Sequence, residues 1–408
     1  MRRVVVTGMS GLSPVGQDWA TVREHLANGQ TGIRYMDEWD RYEGLLTRLG
    51  GPVDDFSKPA HYSRKATRSM GRVSLMATRA TELALTQAGL LDDPVLQSGR
   101  TGVSYGSSTG STDAVKDFAG MLIKDTTAGL TATTYIRMMS HTAPVNIGVF
   151  FGLQGRVYTT SSACTSGSQG IGYAFEAIRS GAQDVMVAGG GEELCPTEAA
   201  VFDALFATST RNDEPGSTPR PFDKARDGLV IGEGACTLIL EALDHAEARG
   251  ATILAELVGF ATNSDGRHVT QPHAETQQRV IELALADAQL APDAIGYVSA
   301  HGTATDRGDV AETTATRNAL KRAVPISAFK SFTGHTLGAC GALEAWVAIQ
   351  SMNESWFHHT ANLTDVDPDC AELDYIQGEG RRIDCEYVMS NNFAFGGINT
   401  SLIFRRWQ

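Results

Sequence analysis

The chain is 408 residues long and 42% hydrophobic, with 34 basic against 47 acidic side chains and a formal net charge of -13. That acidic surplus excludes a nucleic-acid partner, whose phosphates demand a basic footprint, and no apolar run reaches membrane-spanning length. The length exceeds one simple domain, and 6 cysteines without a C-x-x-C pair speak against a zinc site or a disulfide framework.

From the N-terminus, Met1-Arg2-Arg3 precedes the short apolar run Val4 to Val6, too brief for a secretory signal and read as a first strand. A cytoplasmic protein with reduced thiols is expected. Periodicity is poor from Gly32 through Pro59, so Tyr35 to Trp39 and Asp54 to Lys58 read as surface loops. Arg64 to Arg72 is the densest basic run, and Val73 to Ala88 is helical. A strand over Gly102 to Tyr105 leads into the Gly/Ser loop Ser107 to Ser111. Arg156 to Tyr158 reads as the end of a buried strand, Ser161 to Ala163 as a tight turn, and Ser166 to Arg179 as a helix with Ile171, Phe175 and Ile178 on one face. Val185 to Ala188, Leu254 to Phe260, Ile295 to Ser299 and Tyr387 to Met389 are strand-like, while Gln277 to Ala288 and Val310 to Leu320 are helical. Strand and helix alternate, as in α/β folds. With no Pro/Ser linker or low-complexity tract, the border between two halves is placed near Gly250, giving 1–250 and 251–408.

Cys164 lies at or next to a helix start, where free N–H groups and the macrodipole favour a thiolate over a thiol of ordinary pKa about 8.5. A lone cysteine among small residues is otherwise ordinary core packing. Its company changes that weighing. Two histidines stand in glycine-bearing loops, His301-Gly302-Thr303 and Gly334-His335-Thr336, and Lys330 and Glu344 flank the second in an otherwise small and apolar stretch. Buried charges are costly unless paired, so Lys330 and Glu344 are expected to be partners. A thiol that stores an acyl group and two imidazole N–H donors aimed at a developing enolate fit thioester carbon chemistry. A hydrolase needs an activated water that such a site excludes.

These stretches resemble the type II 3-oxoacyl-[acyl-carrier-protein] synthases of the thiolase-like superfamily. The matching residues run from Val4-Val5-Val6-Thr7-Gly8-Met9 through Ser161 to Gly167, Arg220-Pro221-Phe222-Asp223, Arg226-Asp227-Gly228 and Gly232-Glu233-Gly234-Ala235 to His301 to Thr305, Gly308-Asp309, Lys330 to Glu344 and Asn391 to Asn399. The resemblance implies a five-layered α-β-α-β-α fold of two similar halves, the first carrying the nucleophile and the second the two histidines. It implies decarboxylating condensation of an acyl group on Cys164 with malonyl-acyl-carrier protein, in fatty-acid or polyene/polyketide elongation. His301 and His335 would hold the malonyl thioester, with Lys330 ordering the site and Glu344 supporting it. Backbone N–H groups of Cys164 and Phe395 would form the oxyanion hole, Phe395 would gate entry, and Thr303 and Thr305 would bind the phosphopantetheine arm. No metal or further cofactor is implied.

The implied partners are an acyl-carrier protein and a second copy or a related synthase subunit, with the apolar segment Pro144 to Leu153 available for pairing. The family places carrier docking in stretches comparable to Arg64, Lys65 and Arg68, with Arg211 a second candidate; a solvated helix start explains the same basic run equally well. Two departures stand out: Cys340 where alanine is usual, and Asp306-Arg307 where smaller or apolar residues are common. The pattern is similar to condensing enzymes of aryl-polyene-like pathways, with a housekeeping fatty-acid enzyme the competitor. A non-decarboxylating thiolase-like enzyme would want a second cysteine in Asn391 to Gly397, and a chain-length-factor subunit would lack Cys164.

Overall fold

The apolar runs pair laterally to an extent that their short lengths conceal. In the computed structural model, which describes residues 1–408, the first half contributes β1 (Val4–Leu12), β2 (Thr101–Gly106), β3 (Val157–Thr160), β4 (Val185–Glu192) and β5 (Gly234–Ala242). The second contributes β6 (Ala255–Ser264), β7 (Ile295–Ser299), β8 (Pro325–Ser327), β9 (Asp374–Tyr375), β10 (Tyr387–Ala394) and β11 (Ile398–Arg406). All belong to one sheet, in the order β9-β8-β7-β10-β11-β6-β1-β5-β4-β2-β3.

One pairing pattern occurs twice. β1 pairs antiparallel with β5 and β5 with β4, while β4 runs parallel to β2 and β2 to β3. Likewise β6 pairs antiparallel with β11 and β11 with β10, while β10 runs parallel to β7 and β7 to β8. The two half-sheets join where Val4, Val5 and Val6 pair with Leu257, Glu256 and Ala255. This repeat lies in hydrogen-bond topology, which side-chain self-similarity does not reveal.

Five layers follow from which strand face each helix covers. On β4, Met186 and Ala188 face inward while Val185 and Val187 face outward, the alternation a strand covered on both sides requires. Helices Arg72–Ala88 and Thr142–Phe151 cover the outside of the first half-sheet through Met76, Ala80, Ala84 and Ile147. Helices Ala274–Ala288 and Asp306–Leu320 cover the outside of the second through Val280, Ile281, Ala319 and Leu320. Between the half-sheets lie helices Ser166–Arg179 and Cys340–Glu354. The latter is buried nearly all round, as a helix apolar on every face should be. Gly167 permits these central helices to meet, since a Cβ there would fall 2.9 Å from the Gly338 carbonyl oxygen.

Two expectations are corrected. β3 is not a buried strand end but the sheet's edge, with Val157 52% exposed, because no further strand of this chain pairs with it. Tyr35 to Trp39 is not a surface loop: Arg34 and Tyr35 pair in a small sheet, and Trp39 is buried with Leu45 and Leu229 in the apolar cluster that includes Cys164. One aromatic anchor there outweighs the absence of periodicity. No helix is long and apolar enough to cross a membrane.

Candidate active site

Cys164 is presented by a strained elbow between β3 and the central helix. Ala163 adopts φ +51°, in the left-handed region that a residue with a Cβ enters at a cost of about 1 kcal/mol or more. Neighbouring hydroxyls hold it there. Ser166 Oγ accepts from the Ser162 N–H (2.9 Å) and donates to the Ala163 carbonyl (2.7 Å), and Thr165 Oγ1 donates to the Ser162 carbonyl (2.8 Å). A 3-10 turn over Ala163–Thr165 then runs straight into helix Ser166–Arg179.

The expected thiolate is not the resting state. Burial pushes the Cys164 thiol up to about 11, against the Lys330 charge and the backbone N–H groups of Phe395 and Cys164, which favour the anion. A helix start in a dry site therefore moderates the desolvation of the sulfur without cancelling it. The Phe395 N–H is already turned toward Sγ, where a thioester oxygen would need a donor.

The imidazoles are fixed in place and in tautomer. His335 is anchored through its backbone, which donates to the Val230 carbonyl (2.6 Å) and accepts from the Gly232 N–H (2.9 Å). Its Nδ1 accepts from the Leu337 N–H (3.1 Å), which leaves the proton on Nε2, 3.1 Å from Cys164 Sγ. His301 follows β7, and its own N–H and that of Gly302 each donate, at 2.7 Å, to one oxygen of Glu312. His301 Nδ1 faces the Lys330 ammonium (3.0 Å) and Asn392 Nδ2 (3.3 Å), both donors, so its proton also sits on Nε2. Burial, reinforced by the Lys330 charge, holds both imidazoles well below the usual histidine range and hence neutral. The rings stand 5.2 Å apart at 86°.

Lys330 and Glu344 are brought together as their isolation in sequence predicts. Lys330 Nζ donates to Glu344 Oε1 and Asn392 Nδ2 donates to Oε2 (2.6 Å), all three residues being buried. Burial works against the Lys330 charge, but the Glu344 carboxylate beside it keeps its pKa above the ordinary lysine value. Cys340 Sγ donates to the carbonyl of Cys164 (3.2 Å), so the cysteine in place of alanine braces the elbow.

A cavity of about 510 Å³ opens onto Cys164, His301, His335, Thr303, Thr305 and Phe395. Thr303 Oγ1 and Thr305 Oγ1 lie 2.8 Å apart on its wall. Asp309 holds their loop by accepting from the N–H groups of Thr303 (3.1 Å), Ala304 (3.2 Å) and Phe222 (2.7 Å). Arg226 lies 3.7 Å from Asp309 and donates to the carbonyls of Thr305 and Asp306. The Phe395 ring rests on Phe202 at 5.0 Å between centroids. Behind it the chain turns at Gly397 (φ +70°), where a Cβ would fall 2.7 Å from Cβ of Asp265.

Arg64, Lys65 and Arg68 form an exposed run of turns ahead of helix Arg72–Ala88. Arg72, in the same basic run, is instead drawn to Glu233. Arg211 is half-buried, 3.4 Å from Asp227, with its charge already matched.

A family model for the beta-ketoacyl synthase N-terminal domain matches residues 1–246, and one for the C-terminal domain matches 254–364. The chain belongs to the beta-ketoacyl synthase family. Members are acyltransferases, and this beta-ketoacyl synthase chain is 38% identical over 416 aligned residues to the 3-oxoacyl-[acyl-carrier-protein] synthase 2 of Vibrio harveyi, covering 99% of each. Among solved structures, a beta-ketoacyl synthase from Burkholderia phymatum STM815 superposes with a TM-score of 0.99 at 57% identity, each chain covered in full. A ketosynthase solved with its type II polyketide acyl-carrier protein and bound to a hexaketide superposes with a TM-score of 0.87 at 31% identity, again over the whole of both chains.

Four residues that touch or brace the site carry no role in the sequence reading: Asn392, Glu312, Asp309 and Arg226. Asn391-Asn392 on an otherwise apolar strand was the available signal, since buried amides need partners. Glu312 and Asp309 look like surface acids of a helix until the backbone amides they cap are in view.

Proposed function

We propose that this chain stores an acyl group on Cys164 and condenses it with malonyl-acyl-carrier protein, releasing carbon dioxide and a 3-oxoacyl-carrier protein. The observation that carries this reading is the pair of neutral imidazoles, both presenting Nε2–H beside one buried thiol. In the first step Cys164 takes the acyl group from its carrier, and the thiol proton leaves on the departing phosphopantetheine sulfur. In the second, a malonyl thioester oxygen accepts from His301 and His335 while the C–C bond to the carboxylate breaks. The enolate carbon then attacks the Cys164 thioester, whose oxyanion is met by the Cys164 and Phe395 N–H groups. Collapse expels the cysteine sulfur, which takes up a proton. Each donor aimed at such a charge contributes about 3 kcal/mol, on the order of a hundredfold in rate.

Lys330 keeps the proton of His301 on Nε2, and Glu344 with Asn392 holds Lys330 in place. Thr303 and Thr305 take the pantetheine arm, and Phe395 yields to admit the malonyl group. The acidic carrier docks at Arg64, Lys65 and Arg68, with Arg211 a weaker contributor. The chain divides near Gly250 and works in the cytoplasm as a dimer, either of itself or with a related subunit. Exposed apolar groups at the β3 edge and on the helix packed against it support the pairing: Val157 and Val149 are 52% and 77% exposed.

Intact-mass analysis tests the reading. Cys164→Ala is expected to gain no acyl mass, whereas His335→Ala is expected to accept acyl groups yet release carbon dioxide from malonyl-carrier protein on the order of a hundredfold more slowly. Acylation of the alanine variant, or full decarboxylation by the His335 variant, overturns it.

A further inference from the structure

The cavity that opens onto Cys164 has an inner and an outer end. Cys164, His301 and His335 are its buried lining, whereas Phe206 and Val269, which line it too, are 84% and 70% exposed. The segment that follows His301 runs from one end to the other. Thr303 and Thr305 are half-buried along the wall, and Asp306 and Arg307 come next, both exposed and both lining the same cavity. Arg307 therefore stands at the mouth, two residues beyond the pair of threonine hydroxyls.

Two guanidinium groups line this cavity, and their surroundings differ. Arg226 is buried and faces three carboxylates, Asp306 (3.5 Å), Asp309 (3.7 Å) and Asp367. Arg307 forms no ion pair, and its side chain makes no hydrogen bond within the chain. The acids on either side of it are otherwise engaged, Asp306 with Arg226 and Asp227 with Arg211 (3.4 Å). An exposed arginine is ordinarily a solvated side chain that contributes little. What distinguishes this one is its place, on the wall a thioester must pass to reach Cys164, where the family commonly has a smaller or apolar residue.

A phosphopantetheine arm carries its thioester at one end and its phosphate at the other. With the sulfur end near Cys164 and the middle of the arm along Thr303 and Thr305, the phosphate is left at the mouth. A guanidinium fork matches phosphate oxygens with paired, charge-assisted hydrogen bonds. We infer that Arg307 holds the phosphate of the phosphopantetheine arm as the thioester enters. The inference rests on the acyl-storage reading above and deepens it by giving the charged end of the arm a partner. It also divides the work of positive charge on an acidic protein: Arg64, Lys65 and Arg68 meet the carrier, and Arg307 meets the arm.

The test therefore uses no carrier protein. Butyryl thioesters of pantetheine are compared with those of 4′-phosphopantetheine capped as its methyl phosphodiester, which keeps the single charge of the serine-linked arm. Acyl transfer to Cys164 is followed by intact mass over a range of thioester concentrations. The phosphodiester is expected to lower the concentration giving half the maximal rate at least about fivefold, with maximal rates within about twofold of each other. Arg307→Gln should bring the two half-maximal concentrations to within about twofold, and Arg307→Lys, which keeps the charge and loses the fork, should fall between. Because Arg307 is exposed and bonded to nothing in the chain, neither substitution removes a contact that the fold uses. Equal half-maximal concentrations in wild type, or a preference that Arg307→Gln leaves undiminished, overturn the inference. Acyl mass on Cys164 still forms in both cases, so the acyl-storage reading stands. If neither thioester leaves an acyl mass on Cys164, that reading fails and the inference with it.

Discussion

Lys330 influences three groups at once from one buried position. Its ammonium fixes the tautomer of His301, its charge depresses both imidazoles, and the same charge lowers the pKa of the Cys164 thiol that burial has raised to about 11. Below that value the thiolate fraction, and with it alkylation by iodoacetamide, rises about tenfold per pH unit. Removing the charge moves the thiol further up, so Lys330→Met is expected to alkylate more slowly than wild type at every pH from 7 to 9 while keeping the same upward slope. Equal or faster alkylation would show that Lys330 does not act on the sulfur. The pairing of Lys330 with Glu344 was legible in sequence because two opposite charges stood in an apolar stretch. Asn392, which joins them, was signalled only as a buried amide in need of a partner, because an uncharged side chain does not say which charge it will meet. The thiol's raised pKa was equally hidden, since a helix start is visible in sequence and the depth of burial is not.

At the scale of elements, the periodic segments were legible and their surroundings were not. Helix Ser166–Arg179 and strand Ile295–Ser299 have the bounds their apolar spacing predicts, whereas Arg156 to Tyr158 looked buried because β-branched and aromatic residues mark an edge strand and a core strand alike. The basic turns from Arg64 to Arg68 pose a similar ambiguity between solvated surface and docking site. Charge geometry narrows the candidates, and comparing carrier-bound with short substrates separates the two. Arg72 and Arg211 already have carboxylate partners, while Arg64, Lys65 and Arg68 project from exposed turns on a protein of net charge -13. Local positive charge on such a molecule mainly speeds encounter with an acidic partner. Reversing Lys65 and Arg68 to Glu is therefore expected to raise KM for carrier-bound substrate at least about fivefold at low salt, with the difference shrinking as salt rises. Turnover of a short pantetheine-linked substrate should stay within about twofold. Equal losses on both substrates would place the docking surface elsewhere.

Across the whole molecule, the repeated half-sheet brings residues from distant parts of the chain to one point. The elbow after β3 supplies the thiol, the segments after β7 and β8 supply the imidazoles and the lysine, and the central helix Cys340–Glu354 supplies the glutamate, all from the other half. Sequence alone disclosed those loops but not the duplicated pairing beneath them, because the two halves share hydrogen-bond topology and little side-chain identity. The same topology leaves an unpaired edge at β3, a few residues from the nucleophile. Exposed edges invite pairing with another chain. Val157 on that edge and Val149 on the helix packed against it are both exposed, so a second copy would cover strand and helix together. Light scattering at micromolar concentration is expected to give twice the mass of one chain. Val149→Asp, a charge placed in the covered surface far from His301 and Lys330 in sequence, should raise the dimer dissociation constant at least about tenfold. A wild-type monomer under these conditions, or a Val149→Asp dimer as tight as wild type, would show that this face is not where copies of the chain meet.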